Sequence, residues 1–128
     1  TLIPLDVTTR VGVSRESLMT WAAESRHPLD RIATDMTRKA FEFAEQVEGH
    51  GLFYFHDPLA VLAAVDSSLF RMEPLHVSVE MAGRVSRGIT IADRRQRTPE
   101  EKAQPNMRVA VDVDVDRTLS FLRNRLCP

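Results

Sequence analysis

Apolar residues change their spacing partway along this 128-residue chain, and that change limits the architectures it can adopt. After Pro28, the residues Leu29, Ile32, Ala33, Met36, Ala40, Phe43, Ala44 and Val47 recur every third or fourth position, the period of one helical face. Further on, Leu75, Val77, Val79 and Met81 alternate with His76, Ser78 and Glu80, and Met107, Val109, Val111 and Val113 alternate with Arg108, Ala110 and Asp112. Alternation is the period of a half-buried strand. A chain carrying both periods packs helices against sheet around one core, so an α/β fold with layered elements is predicted.

Local signals set the remaining boundaries. Leu5, Val7, Val11 and Val13 among Thr8, Thr9 and Arg10 suit a strand from about Leu5 to Val13. Ser14 is placed to cap a short helix with Glu16 in its first turn and Leu18, Trp21 and Ala22 on its buried side. Gly49 stops the long helix, because it takes positive φ without steric cost. A loop from Gly49 to Phe55 follows, then Asp57 as N-cap, Pro58 in the first turn, and a largely buried helix over Leu59 to Val65. The run from Leu75 to Met81, the pair Ala82-Gly83 and the run from Arg84 to Ile91 predict an antiparallel hairpin. Arg94 to Asn106 reads as an exposed loop, and Asp114 or Asp116 caps a terminal helix with Leu119, Leu122 and Leu126 on one face.

Composition narrows the function classes. With 43% apolar and 27% charged residues the chain is long enough for a core that needs neither disulfides nor a structural metal. Cys127 stands alone, which excludes a disulfide framework and a multi-cysteine zinc site. Seventeen basic against eighteen acidic residues leave a net charge of -1, so neither nucleic acid nor a membrane is expected as a partner. The stretch Leu59 to Val65 is far short of the roughly 20 residues that span a bilayer. The start, Thr1-Leu2-Ile3-Pro4, lacks an initiating Met and a basic segment before an apolar run; no signal peptide is expected, and the start reads like a cut from a longer polypeptide.

The segment with most chemical promise is His56-Asp57-Pro58. A carboxylate binds hard cations, and an imidazole, with an ordinary pKa near neutral, gives a proton to a leaving group. On spacing alone a second reading stands beside this one, in which Asp57 only caps a helix and His56 is a satisfied loop residue. Asp112, Asp114 and Asp116 share a two-residue spacing that brings carboxylates to one strand face, yet a solvated strand end and a helix cap account for them. His27, His76, Cys127 and the run Arg94-Arg95-Gln96-Arg97, with Glu100 and Glu101 close behind, read as structural or solvated.

Four segments in order, Leu5-Asp6-Val7-Thr8, His56-Asp57-Pro58-Leu59-Ala60-Val61, Arg87-Gly88-Ile89-Thr90-Ile91-Ala92-Asp93, and Asn106 to Asp114 with its Met-Arg-Val-Ala-Val-Asp-Val core, resemble the carboxy-terminal part of an inosine-uridine preferring nucleoside hydrolase. The resemblance extends over nearly the whole chain. It implies a partial, layered, Rossmann-like fold with a β-hairpin in its second half, residues 1–128 forming the carboxy-terminal part of one domain whose amino-terminal part is absent. It implies hydrolysis of the N-glycosidic bond of a ribonucleoside to base and ribose, with a nucleoside as partner, a homo-oligomeric assembly and a cytoplasmic location. In such enzymes a calcium ion binds ribose hydroxyls and the attacking water, lowering the pKa of that water, while a carboxylate of an amino-terminal motif takes its proton. The residue matching Asp57 is a metal ligand to calcium, and the catalytic residue matching His56 lies near the departing base. An oxocarbenium-like transition state needs an activated water on one face of the sugar and a protonated leaving group on the other. The segment before His56 flanks the pocket in relatives, which makes Phe41, Phe43, His50, Phe53, Tyr54 and Phe55 candidates for contact with the base, although an aromatic on a helical stripe is more often packing.

The chain departs from the family pattern in one respect. The Asp-x-Asp-x-x-x-Asp-Asp cluster and the ribose-holding asparagine stretch do not occur in these 128 residues. Calcium takes six to eight oxygen ligands, so this segment is not expected to bind the ion alone, and it is expected to be inactive without the rest of a roughly 300-residue domain. The rival expectation is a non-catalytic interaction module that pairs through an exposed sheet edge.

Overall fold

The computed structural model describes residues 1–25, 28–49, 51–95 and 103–126. His27, His50, Gln96, Arg97, Glu100, Glu101 and Cys127 lie outside the described residues. The described chain runs through α1 (Leu5–Thr8), β1 (Gly12–Ser14), α2 (Arg15–Glu24), α3 (Pro28–Phe43), β2 (Leu52–Tyr54) and α4 (His56–Val65). It continues through β3 (Phe70–Leu75), β4 (Val77–Val79), β5 (Thr90–Ala92), β6 (Met107–Val113) and α5 (Val115–Leu126).

The first segment is a correction to the strand expected over Leu5 to Val13. Only Gly12–Ser14 is extended; Leu5–Thr8 is a helical turn. Pro4 directs it: the Pro4 carbonyl accepts from the Val7 and Thr8 amides, each at 3.1 Å, and the Thr9 hydroxyl donates back to the Leu5 carbonyl at 2.7 Å. Threonine hydroxyls that close on a nearby carbonyl support a turn despite their β propensity. Val7 within it and Val11 beyond it are fully buried.

Capping follows the sequence more closely. Ser14 Oγ accepts from the Ser17 amide at 3.1 Å and starts α2. α3 continues as a π-helical turn over Ala44–Glu48 and ends at Gly49 in the left-handed region, φ 72°. Asp114 caps α5, its carboxylate accepting from the Arg117 amide at 3.1 Å. α4 differs. It starts at His56, with Phe55 in the N-cap position, so Asp57 is a first-turn residue instead of the cap. Nor is α4 largely buried: Leu59 and Leu62 are, while Val61 and Val65 face solvent.

β1 pairs antiparallel with β2, a strand that lies inside the expected loop from Gly49 to Phe55. Gly12 stands opposite Tyr54, and a Cβ at Gly12 would lie 2.9 Å from the tyrosine ring. β3 pairs antiparallel with β6, and β4 with β5. The expected hairpin is corrected around its turn: Leu75 of the alternating set belongs to β3, and residues 84–88 form a turn instead of the start of an extended run, so only Val77–Val79 and Thr90–Ala92 pair. Of that alternating set only Val77 is buried, whereas Val79 and Met81 are exposed. Within β6 the register slips opposite Arg71 and Met72, so that Asp112 pairs with Arg71 and Ala110 with Met72. Val111 is the extra residue of a bulge, which explains why Ala110 is buried against the simple alternation. On its other edge β6 meets Leu2 in a parallel bridge, with Leu2 N to Arg108 O and Ala110 N to Leu2 O both at 2.9 Å.

One apolar core joins these pieces: Val7, Val11 and Val13, Leu18, Phe41, Phe55, Leu59 and Leu62, Leu69 and Phe70, Ala110 and Val113, and Leu122. Phe53 packs at its margin, 5.8 Å from the Phe41 ring and edge-on to Phe55 at 5.2 Å. The long helix presents a different face from the expected one. Phe41 and Ala44 point inward, while Ile32, Met36, Phe43 and Val47 form an outward apolar stripe.

Asn106 fastens the β4 start to the lead-in of β6. Its Oδ1 accepts from Val77 N at 2.8 Å, its Nδ2 donates to Val77 O at 2.9 Å, and its own amide donates to Leu75 O at 3.1 Å. Asn106→Ala strands the Val77 pair, and with about 1 kcal/mol per hydrogen bond the loss is expected at roughly 2 kcal/mol. Equilibrium urea denaturation reads this, and a midpoint unchanged from wild type would contradict it.

Candidate active site

Three elements bring the site together. β2 delivers Phe55 into the core, and the Phe55 carbonyl accepts the first α4 hydrogen bond from Leu59 N at 3.0 Å. His56 and Asp57 are therefore the first two residues of α4. Successive residues stand about 100° apart around a helix axis, so the imidazole and the carboxylate diverge from a common end instead of facing each other. Gly12 leaves room for the Tyr54 ring, which lies 5.8 Å from the imidazole at a 40° tilt. α1 supplies the third piece: Thr8 Oγ1 lies 2.7 Å from His56 Nδ1.

His56 is half-buried and Asp57 exposed, so neither is shut into packed interior. Among the described residues Asp57 meets no hydrogen-bonding or charged partner. A carboxylate in the first turn of a helix is favoured by the positive end of the helix dipole. Sequence reasoning gives Thr8 no role in the site; its contact with His56 joins residues 48 positions apart, which no local pattern encodes. Of the aromatic candidates, Phe41, Phe53 and Phe55 belong to the core and its margin, Tyr54 lies beside His56, and Phe43 is exposed.

Two cavities lie away from this pair. One of about 190 Å³ is lined by Leu2, Pro4, Asp6, Leu75, Val77, Thr90, Ala92, Arg94 and Val109–Val111. The other, open and about 320 Å³, lies between Ser68–Arg71 and Asp112–Asp114. The acidic run beside it is engaged in the fold. Asp112 pairs with Arg10 at 2.5 Å, and the Val113 amide, with the Arg10 guanidinium adding to it, holds the Asp112 carboxyl below its usual range. Asp114 is the α5 cap.

The described residues do not make a calcium site. No three His, Cys, Asp or Glu side chains among them converge on one point, and Asp57 alone falls well short of the oxygen ligands the ion takes. No helix among the described residues is long and apolar enough to cross a membrane.

Comparison with known proteins gives a consistent answer. The sequence profile described as inosine-uridine preferring nucleoside hydrolase matches residues 1–120. An inosine-uridine preferring nucleoside hydrolase of Crithidia fasciculata is 36% identical over 62 residues, 48% of this chain and 19% of that protein. A probable ribonucleoside hydrolase of Dictyostelium discoideum is 30% identical over 71 residues, 56% of this chain and 20% of that one. Among solved structures, the purine-preferring ribonucleoside hydrolase from Gardnerella vaginalis superposes with a TM-score of 0.77 at 31% identity, covering 97% of this chain and 38% of its own. A plant nucleoside hydrolase superposes with a TM-score of 0.81 at 24% identity, 96% and 39% covered, a likeness of fold. The chain thus spans less than two-fifths of the length of these structures. With the profile matched from Thr1 to Ser120, midway along α5, and the mixed helix-and-strand fold superposing on its members, the chain belongs to the inosine-uridine preferring nucleoside hydrolase family.

Proposed function

We propose that this chain is the carboxy-terminal part of a cytoplasmic enzyme domain that hydrolyses the N-glycosidic bond of ribonucleosides, and that His56 and Asp57 are its share of the active site. His56 donates a proton to the departing base. Asp57 is one carboxylate ligand of a calcium ion, the others lying in an amino-terminal part of the domain that carries the aspartate cluster. The observation that carries this reading is the pair at the start of α4: an imidazole held at one nitrogen by Thr8, beside a solvent-facing carboxylate that no described residue engages. The outward stripe of Ile32, Met36, Phe43 and Val47 supports contact with the rest of the domain or with further subunits of a homo-oligomer, since contiguous exposed apolar surface marks a place of association.

The test is release of base from inosine and uridine in the presence of calcium. The 128-residue chain alone is expected to give no turnover. The same chain joined to an amino-terminal portion bearing the aspartate cluster is expected to give calcium-dependent turnover that chelation abolishes. Turnover by the isolated chain, or none by the joined protein, would refute the assignment.

A further inference from the structure

The contact between Thr8 and His56 carries an inference that rests on the proton-donor reading above and deepens it. A neutral imidazole carries its proton on one nitrogen and accepts at the other, and the hydrogen bond made by one nitrogen decides which is which. A threonine hydroxyl has a single proton to give. Thr8 Oγ1 has two acceptors within range, His56 Nδ1 at 2.7 Å and the Leu5 carbonyl at 3.4 Å. The Leu5 carbonyl already accepts from the Thr9 amide at 2.9 Å and from the Thr9 hydroxyl at 2.7 Å, which uses both of its lone pairs. The hydroxyl proton of Thr8 is therefore directed at the ring.

Thr8 is well placed for this. It is only 2% exposed, and its backbone is pinned on both sides, its amide donating to Pro4 O and its carbonyl accepting from Val11 N, each at 3.1 Å. His56 Nε2 meets no partner among the described residues. We propose that Thr8 is a positioning residue for the hydrolase reaction: its hydroxyl donates to Nδ1 of the neutral His56 ring, fixing the ring orientation and the tautomer with its proton on Nε2, and its oxygen accepts from Nδ1–H in the imidazolium, the form that gives its Nε2 proton to the departing base and is left neutral. The helical turn Leu5–Thr8, where the residue pattern favours a strand, is what carries the hydroxyl to the ring.

Nitrogen-15 NMR of the ring-labelled chain, above the pH range in which imidazole titrates, reads the tautomer directly. Wild type and Thr8→Ser are expected to show a proton on Nε2 and a bare Nδ1. Thr8→Val, which keeps the shape and removes the donor, is expected to move the two ring-nitrogen signals toward each other as both tautomers become populated. In the complete hydrolase, loss of one hydrogen bond to the ring is expected to lower kcat about tenfold for Thr8→Val with KM nearly unchanged, and Thr8→Ser is expected to restore it. A wild-type signal with the proton on Nδ1 overturns the proposal without any variant. An impaired His56→Ala beside a Thr8→Val protein that keeps the wild-type tautomer and kcat overturns the positioning role alone. A fully active His56→Ala overturns the proton-donor reading on which it rests.

Discussion

Phe41→Ala is expected to lower the stability of the chain by about 3–5 kcal/mol, the cost of emptying a buried aromatic site that cannot fully collapse. The ring is 2% exposed, lies 5.8 Å from Phe53, and has the Arg15 guanidinium 5.3 Å above its face. Truncation removes the apolar contacts beneath an arginine whose buried Nε already has no hydrogen-bond partner among the described residues. Small domains are stable by only about 5–15 kcal/mol in total, so the variant retains a fraction of that margin. At about 4 °C per kcal/mol for a chain of this size, its thermal transition should fall by roughly 12–20 °C. The control is Phe43→Ala, two positions along the same helix. Phe43 is 55% exposed, and truncation there is expected to change stability by no more than about 0.5 kcal/mol. Equal effects at the two positions would mean that α3 is rotated about its axis relative to this structure.

That pair of variants also marks where the sequence stops being informative. Helical spacing identifies α3 and Gly49 ends it, because both signals are local. Which side of the helix meets the core is not local. Ile32, Met36, Phe43 and Val47 form the longer apolar row, yet Phe41 lies roughly 180° around the helix from Ile32 and is the residue that meets Phe53. A helix with apolar groups on two sides has its orientation set by its neighbours, here the β1–β2 ribbon and α2. The same cause hides β2, since three residues are too few to establish a period, and the Val111 bulge, which exists only relative to β3. Where a signal is complete within a few residues, as at Ser14, Asp114 and the strand Met107–Val113, sequence and structure agree.

The candidate site divides along the same line. His56 and Asp57 are neighbours in sequence and could be singled out by residue type alone. Thr8 could not, for β-branched composition makes Leu5 to Val13 read as a strand, which would point alternate side chains to opposite faces. Pro4 overrides that preference. The turn it begins is short, but it places a buried hydroxyl beside an imidazole 48 positions away.

His56→Ala in the complete hydrolase is expected to reduce kcat for inosine by about 10²–10⁴-fold, the usual contribution of a positioned general acid. Breaking the bond between ribose C1′ and the base nitrogen leaves the electron pair on the base, and a proton delivered there from Nε2 of the His56 imidazolium neutralises it as it forms and leaves a neutral ring. Alanine removes that proton source without touching the carboxylate of Asp57, which points away around the helix. The loss should therefore fall on kcat more than on KM, because the proton is needed in the transition state and not for binding. It should also depend on the leaving group. A riboside that releases a nitrophenolate, stable as an anion, has little need of protonation, and for it the variant is expected to stay within about tenfold of wild type. Equal losses on the two substrates would show that His56 serves the sugar or the fold instead of the departing base. A loss confined to KM would make the imidazole a binding contact.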